Sequence, residues 1–508
     1  MTTPSEHLIV IPGEMDATQL EGAIGKLRVR VDPPLAPIAF QLWDCFDQSL
    51  RQAGKVLVEF DNRFLLISGG GGCVMQSAQR SGNFVSDLES GPVKQGLRKV
   101  PPLRALLETG AGELEIRRIG VLDSLQKTQA RAVVHTLRTE DGVVTLVLMQ
   151  RLRGYDKAFA VLETALKHLA TAKAPVIDAF QSIRPNLACY TAKPDFGFGS
   201  DTPIYDAVTE IIQGLLDVAR ANEAGIVADH DTEFLHDYRV AIRKIRSVLN
   251  ACKGVYSPDQ MNALNQSFDN LMAPTGRLRD LDVQEMDQAG YFEIVPENLH
   301  PGLHLMARAF HKQRMADHRK FAKYLSSRPY QKTIRALAAQ VSEAGALEPG
   351  PKADQAGVRF ACKMILKRYK KLQQAVQAGG KHASDAQLHN IRVHCKRLRY
   401  ALELFAPLFP SKGVKPVLRS LKKAQEDLGA FNDYVVQQDA LQRFLNTHAA
   451  KSKADSREIA LSVGGVVTVL THRQSIARAK SVAHLSRLGS PEYQKNLRQI
   501  LTAPETKE

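Results

Sequence analysis

Two stretches of this chain obey one template at a fixed separation. HDYRVAIRKIR at 236–246 and HNIRVHCKRLR at 389–399 both read H-x-x-R-x-x-x-[RK]-[KR]-x-R, and the second begins 153 residues after the first. Further along, GRLRDLDV at 276–283 answers to GAFNDYVV at 429–436, with Asp280 and Asp433 again 153 residues apart. Matching signatures in one order and at one offset mark an internal repeat. The region must therefore fold as two similar units, which excludes most single-core architectures of its length.

The rest of the chain has a different character. At 508 residues it exceeds one ordinary domain, and two or three are expected. Residues 1–200 hold 23 basic and 21 acidic side chains, whereas the remaining 308 hold 45 and 32, so almost all of the net +15 belongs to the repeated part. A field of that sign points to an anionic partner. The six cysteines (Cys45, Cys73, Cys189, Cys252, Cys362 and Cys395) are scattered without a C-x-x-C pair, as in a reducing cytosol, and Cys252, Cys362 and Cys395 read as small core residues of helices. The N-terminus lacks the layout of a signal peptide, and the apolar run ALSVGGVVTVL at 460–470 is too short to span a bilayer. The expectation is a soluble, cytoplasmic protein.

The first part mixes strand-like and helical runs. KVLVEF at 55–60 and FLLIS at 64–68 flank DNR as a hairpin. LEIRRIGVL, ARAVVHTL and VVTLVLMQRL follow, with EDG at 140–142 as a turn, and DKAFAVLETALKHLATA has helical spacing. This predicts an antiparallel α+β domain. GGGG at 69–72 lacks a following lysine pattern and reads as a loop rather than a phosphate cradle. Proline, glycine and aromatics then dominate to about residue 203, as in a linker with one short helix. Beyond Asp201 the pattern is helical, broken at YSPDQ, IVPENLHPG, EPGPKADQ, GGKHASD and LFPSKGVKP.

On a helix the two strips become cationic faces. His236, Arg239, Arg243 and Arg246 fall within an arc of about 80°, with Lys244 on the flank, while Ile242, Ile245 and Leu249 form a core side. His389, Arg392, Lys396 and Arg399 repeat this, with Arg397 on the flank and Leu398 and Leu402 apolar. Like charges at these spacings repel, and within the strips only Asp237 could relieve them. A solvated basic face is the ordinary reading of a charge run. The duplication, the leading histidine and the scarcity of acids favour a surface built for a line of negative charge. Arginine forks match phosphate oxygens, lysine adds a point charge, and histidine donates or protonates beside an anion. HKQRMADHRKFAK at 311–323 and VRFACKMILKRYKK at 358–371 read as further cationic supply in comparable places of the two halves. Asp280 and Asp433 read as carboxylates that buttress an arginine or cap a helix. Arginine-rich surroundings disfavour a metal held by His236 and His389, and no cofactor is implied.

These residues resemble the CHAD domain (conserved histidine α-helical domain). The likeness is carried by HDYRVAIRKIR with GRLRDLDV, and by LHNIRVHCKRLRYALE at 388–403 with QEDLGAFND at 425–433, and it covers about 201–490. It implies a two-fold pseudosymmetric helical bundle whose basic central pore binds inorganic polyphosphate, with no established catalysis and, in some members, a link to polyphosphate or polyester storage granules. The binding residues expected are His236, Arg239, Arg243, Lys244 and Arg246, then His389, Arg392, Lys396, Arg397 and Arg399, with Arg359 and Lys363 from a neighbouring helix.

The first 170 residues resemble a decayed CYTH-type triphosphate tunnel domain. WDCFDQSLRQAGKVLVEF at 43–60 is similar to that family's YYDTxxxxLxxxGxxLRxR region. The family's E-x-E-x-K motif is replaced by EHLIVIP, leaving Glu6 alone, and Lys127, Arg131 and Arg151 are basic remnants. Metal-dependent triphosphate hydrolysis needs several carboxylates around the ion, so no catalytic activity is expected. The domains expected are a degenerate CYTH-like α+β domain at 1–175, a linker at 176–203, a helical CHAD domain at 204–490 with repeats 204–350 and 351–490, and a tail at 491–508. Competing readings are a triphosphate or polyphosphate hydrolase acting through the first domain, a nucleic-acid binder, and a granule scaffold. Against nucleic acid, the strips lack interleaved aromatics and no helix-turn-helix is apparent. Oligomeric state and chain-length preference are not written in the sequence.

Overall fold

The computed structural model describes residues 7–24, 26–169, 175–184, 190–343, 345–379, 383–409, 411–447, 452–488 and 490–502. It divides into two compact units, Met1–Thr191 and Ala192–Glu508.

The first unit is one antiparallel sheet with helices on both faces. Its strands are β1 (His7–Pro12), β2 (Gly22–Ile24), β3 (Leu27–Val31), β4 (Ile38–Cys45), β5 (Lys55–Phe60), β6 (Arg63–Ser68), β7 (Cys73–Ser77), β8 (Leu106–Leu122), β9 (Thr128–Arg138) and β10 (Val143–Arg151). They run in the order β1-β10-β9-β8-β4-β5-β6-β7, and the β2–β3 hairpin joins through β8. The result is a half-barrel. Two short helices, α1 (Ser49–Gln52) and α2 (Pro92–Gly96), precede α3 (Asp156–Leu169) and α4 (Val176–Gln181).

Strand β10 shows why the sheet is buried on both sides. Val147 and Met149 enter the cluster that α3 caps with Ala158, Phe159, Leu162 and Leu166. Val144, Leu146 and Leu148 enter the opposite cluster, which α4 fills with Val176 and Phe180. A strand covered twice reads as a continuous apolar run rather than an alternation.

The hairpin expected around DNR turns on two residues, not three. Asp61 and Asn62 both take positive φ, 46° and 54°, and Arg63 already pairs with Phe60, as a two-residue turn with the twist of its strands requires. The glycine run closes the β6–β7 hairpin, with the Gly71 amide donating to the Ser68 carbonyl at 2.9 Å. Lys127, Arg131 and Arg151 are exposed, and Lys127 and Arg151 sit over the rings of Tyr155 and Phe159. Glu6 lies outside the described residues, as does Cys189. The stretch read as a linker opens with α4, which packs into the first unit's core.

The second unit is helical: α5 (Ile204–Ala228), α6 (Thr232–Ala251), α7 (Pro258–Met272), α8 (Gly276–Ile294), α9 (His300–Leu325), α10 (Arg328–Ser342), α11 (Gly357–Gly379), α12 (Asp385–Leu404), α13 (Ser411–Thr447), α14 (Lys453–Leu488) and α15 (Pro491–Thr502). The repeat is visible in where helices begin. Helices α11, α12, α13 and α14 start at 357, 385, 411 and 453, each 153 residues after the starts of α5, α6, α7 and α9 at 204, 232, 258 and 300. Both strip helices are 20 residues long, and their caps also correspond. Asp231 accepts the amides of Glu233 and Phe234, and Ser384 forms a capping box with Gln387.

One difference separates the copies. Ala273–Thr275 interrupts the first between α7 and α8, where Pro274 sits, whereas α13 runs unbroken for 37 residues. The break read at LFPSKGVKP is correspondingly short, because α13 begins at Ser411 and carries Pro416 within it. The shared offset also corrects the pairing of the two accessory basic stretches. Residues 358–371 lie in α11 and answer to 205–218 of α5, while 311–323 lie in α9 and answer to 464–476 of α14. They do not occupy comparable places. No helix among the described residues is long and apolar enough to cross a membrane.

Candidate polyanion-binding groove

Helices α6 and α12 pack against each other, and their basic faces meet. Lys396 is the focus. Burial, with Arg392, Arg243 and Arg399 around it, pushes its ammonium down to about 8, while Asp433 pulls the other way. Arg243 belongs to the first strip and Lys396 to the second, so the duplicated rows converge on one place. Arg239, next along α6, is pushed down to about 10 by burial and by Arg243. It bonds Thr275 Oγ1, and its Nε is buried without a hydrogen-bond partner among the described residues. Clustered, partly desolvated cations of this kind are costly until an anion joins them.

The histidines open the strips differently. His389 is exposed and its Nδ1 lies 2.8 Å from Asn432 Oδ1, whereas His236 is half-buried. The acid signatures buttress the rows from a second helix in each copy. Asp433 on α13 pairs with Arg392 at 3.8 Å, and Asp280 on α8 draws on Arg239.

The rows are less bare than the strips alone suggested. Arg246 pairs with Asp269 on α7, and Arg399 with Glu403 one turn below, at 3.6 Å. Those acids lie outside the templates, which is why the strips looked unrelieved.

The flank residues go elsewhere. Lys244 is half-buried and is pushed down by burial, Lys193 and Arg399, with Glu403 opposing. Its counterpart Arg397 lines a cavity of about 700 Å³ between α6, α11 and α12. Arg243 and Arg246 form one wall and Lys363, Lys367, Arg368 and Lys371 another, with His394 and Arg397 between them and no carboxylate in the lining. Burial, then Arg397, Lys371 and Arg368, holds His394 below the usual imidazole range. Lys363 is therefore placed in this cavity, while Arg359 is exposed and outside it.

Lys367, Arg368, Lys371 and His394 were not singled out from the sequence. The four-residue spacing of Lys363, Lys367 and Lys371 was the available signal, but lone lysines on a helix ordinarily face water. No group of three His, Cys, Asp or Glu able to hold a metal occurs among the described residues.

The helical unit is thus a duplicated bundle in which the basic faces of α6 and α12 come together. Residues 210–442 match the family model of the CHAD domain, and the helical unit carries that domain. Two solved structures are similar to the chain. The CHAD domain from the plant Ricinus communis is 25% identical, covers 62% of this chain and 98% of its own, and has a TM-score of 0.48. PptA from Streptomyces chartreusis is 15% identical, covers 56% of this chain and 100% of its own, with a TM-score of 0.45. No curated protein sequence matches the chain.

Proposed function

We propose that the helical unit binds inorganic polyphosphate, without catalysis, in the groove between α6 and α12. The observation that carries this reading is the convergence of Arg243, Arg392 and Arg399 on Lys396. Two rows of cations pressed together in a partly buried place are relieved by a flexible chain of adjacent phosphates, whose oxygens pair with arginine forks and lysine ammonium groups alike. The resemblance of the strips to CHAD domains points to the same ligand.

The non-catalytic half of the proposal draws on the first unit. The cluster between its sheet and α4 consists of apolar side chains such as Phe40, Leu42, Val58, Leu114 and Leu146, which offer nothing to an ion held between triphosphate oxygens. Double-stranded nucleic acid is a poorer fit, because its charges lie on a stiff, wide duplex and recognition motifs for it are lacking.

The test is a titration with long-chain polyphosphate at two or more salt concentrations. Binding should weaken with salt, and Arg239→Ala, Arg243→Ala, Arg392→Ala and Lys396→Ala together should abolish it with helicity intact. Failure of wild-type protein to bind at moderate salt ends the proposal. Displacement of polyphosphate by duplex DNA at equal phosphate concentration would transfer it to nucleic acid.

A further inference from the structure

In the first unit, strand β8 outruns one of its neighbours. It pairs with β4 over residues 106–114, whereas its pairing with β9 ends at Glu113 opposite Arg138. No described strand lies on the β9 side of residues 109–112, because the β9–β10 turn folds toward the end of α4 instead. Thr139 Oγ1 donates to the Ile183 carbonyl at 3.3 Å, and a Cβ added to Gly142 would stand 2.7 Å from the Ser182 carbonyl.

The space left beside that edge is a cleft of about 840 Å³, lined by residues 109–113, the turn, Ile183 and Arg184. An unpaired strand edge presents a row of backbone N–H and C=O groups and accepts an added strand. Four residues at about 3.4 Å each give an edge about 14 Å long, enough for a short extended peptide.

Charge in the cleft is sorted. Arg184 is half-buried. Its Nη1 donates to Thr109 Oγ1 at 2.8 Å, and its Nε is buried without a hydrogen-bond partner among the described residues. Burial holds the guanidinium below its usual range, and Asp44 only partly offsets this. That carboxylate is itself buried and already accepts the amides of Cys45, Leu50 and Arg51 at 2.7, 2.9 and 3.1 Å. Arg138, the other arginine of the lining, is engaged through both terminal nitrogens by Glu14. Glu113, Glu140 and Asp141 are exposed in the same lining. Three acids repel a polyanion, whereas a single carboxylate with a basic chain behind it satisfies both signs.

We infer that this cleft takes the free C-terminal end of an extended basic peptide as a strand added to β8, its carboxylate on Arg184 and a lysine or arginine side chain beside Glu140 and Asp141. The inference concerns the first unit alone and does not depend on the groove between α6 and α12.

The experiment is calorimetric titration of the full chain with acetyl-Thr-Lys-Val-Lys-Val bearing a free carboxylate. The same peptide is also used as its C-terminal amide and with its backbone amides N-methylated, and N-acetylvaline is the small carboxylate. The free acid should bind at one equivalent, and the amide about tenfold or more weakly. The N-methylated peptide should not bind, since it cannot extend the ladder. Arg184→Gln should weaken the free acid about tenfold and abolish the difference between acid and amide, which a merely structural role would leave in place. Glu140→Lys/Asp141→Lys, at exposed positions, should weaken the free acid about fivefold or more. No binding of the free acid at about 1 mM, equal affinity for acid and amide, or an Arg184→Gln protein that still prefers the acid overturns the inference. So does binding of the N-methylated peptide or of N-acetylvaline as tightly as the free acid, because neither needs a strand edge.

Discussion

Replacing Lys396 with methionine should stabilise the free protein while weakening its hold on polyphosphate. Methionine keeps the length and packing of the stem and removes only the charge. A lysine whose affinity for its proton falls from the ordinary 10.5 to about 8 carries a folding penalty of about 1.4 kcal/mol per tenfold change, or about 3 kcal/mol at neutral pH. The side chain is half-buried, so water screens part of the repulsion and about 2 kcal/mol is the expected gain. For a helical unit of this size that raises the melting temperature by about 3 °C.

The sign of the pH dependence is fixed by linkage. The unfolded chain binds the extra proton between about 8 and 10.5, so wild-type stability rises with pH across that window and the gap to the variant closes. Below about 8 the full penalty is present. Thermal melts of both proteins from pH 7 to 10.5, with and without saturating polyphosphate, test this. Polyphosphate should raise the wild-type melting temperature more than that of the variant. A variant less stable than wild type at pH 7, or a gap constant across the pH range, would refute the electrostatic account of the groove.

Other outcomes follow from the same geometry. The fourfold groove variant should flatten the plot of log affinity against log salt by about 3, since each engaged cation on a flexible strand contributes about 0.7; an unchanged slope places the contacts elsewhere. Arg314 donates to both carboxylate oxygens of Asp229 at 2.7 and 2.6 Å and through Nε to the buried Asp282 at 2.8 Å. Arg314→Met should therefore cost about 3–5 kcal/mol in urea unfolding, because it strands a buried carboxylate, and a loss under about 1 kcal/mol contradicts that burial. Phe198, buried with its ring 6.2 Å from that of Phe405, should cost about 3–4 kcal/mol in urea unfolding when replaced by alanine, and a loss under about 1 kcal/mol contradicts that packing.

How much of this was legible in the residues depends on the range of the interaction. The duplication could be read directly, and the helix starts at 204, 232, 258 and 300 with their partners 153 residues on show why: caps and strips are local signals. The antiparallel strands β8, β9 and β10 were equally plain, because turn residues and apolar runs mark them. The short strands β2 and β3 were missed, since three to five residues are too few to show a period. The segment around Phe196 read as a linker because nothing local distinguishes an exposed aromatic stretch from one that docks against Gly214. The acid that relieves Arg246 was invisible in the strips because Asp269 comes from another helix, whereas Asp433, read as buttressing an arginine, does pair with Arg392. The cavity beside α11 was the largest omission: each of its walls looks like an ordinary wet helix until three of them face inward.

The unbroken α13 has a mechanical meaning. Thirty-seven helical residues make a rod about 55 Å long. Near its middle Asn432 and Asp433 touch His389 and Arg392, and close to its start Val417 and Pro416 face Tyr493 of α15. A polyanion that drew Arg392 away from Asp433 would therefore release a contact near the middle of the same rod that holds α15 close to its start. The first copy has a joint at Ala273–Thr275 instead, so its two helices are not one rod.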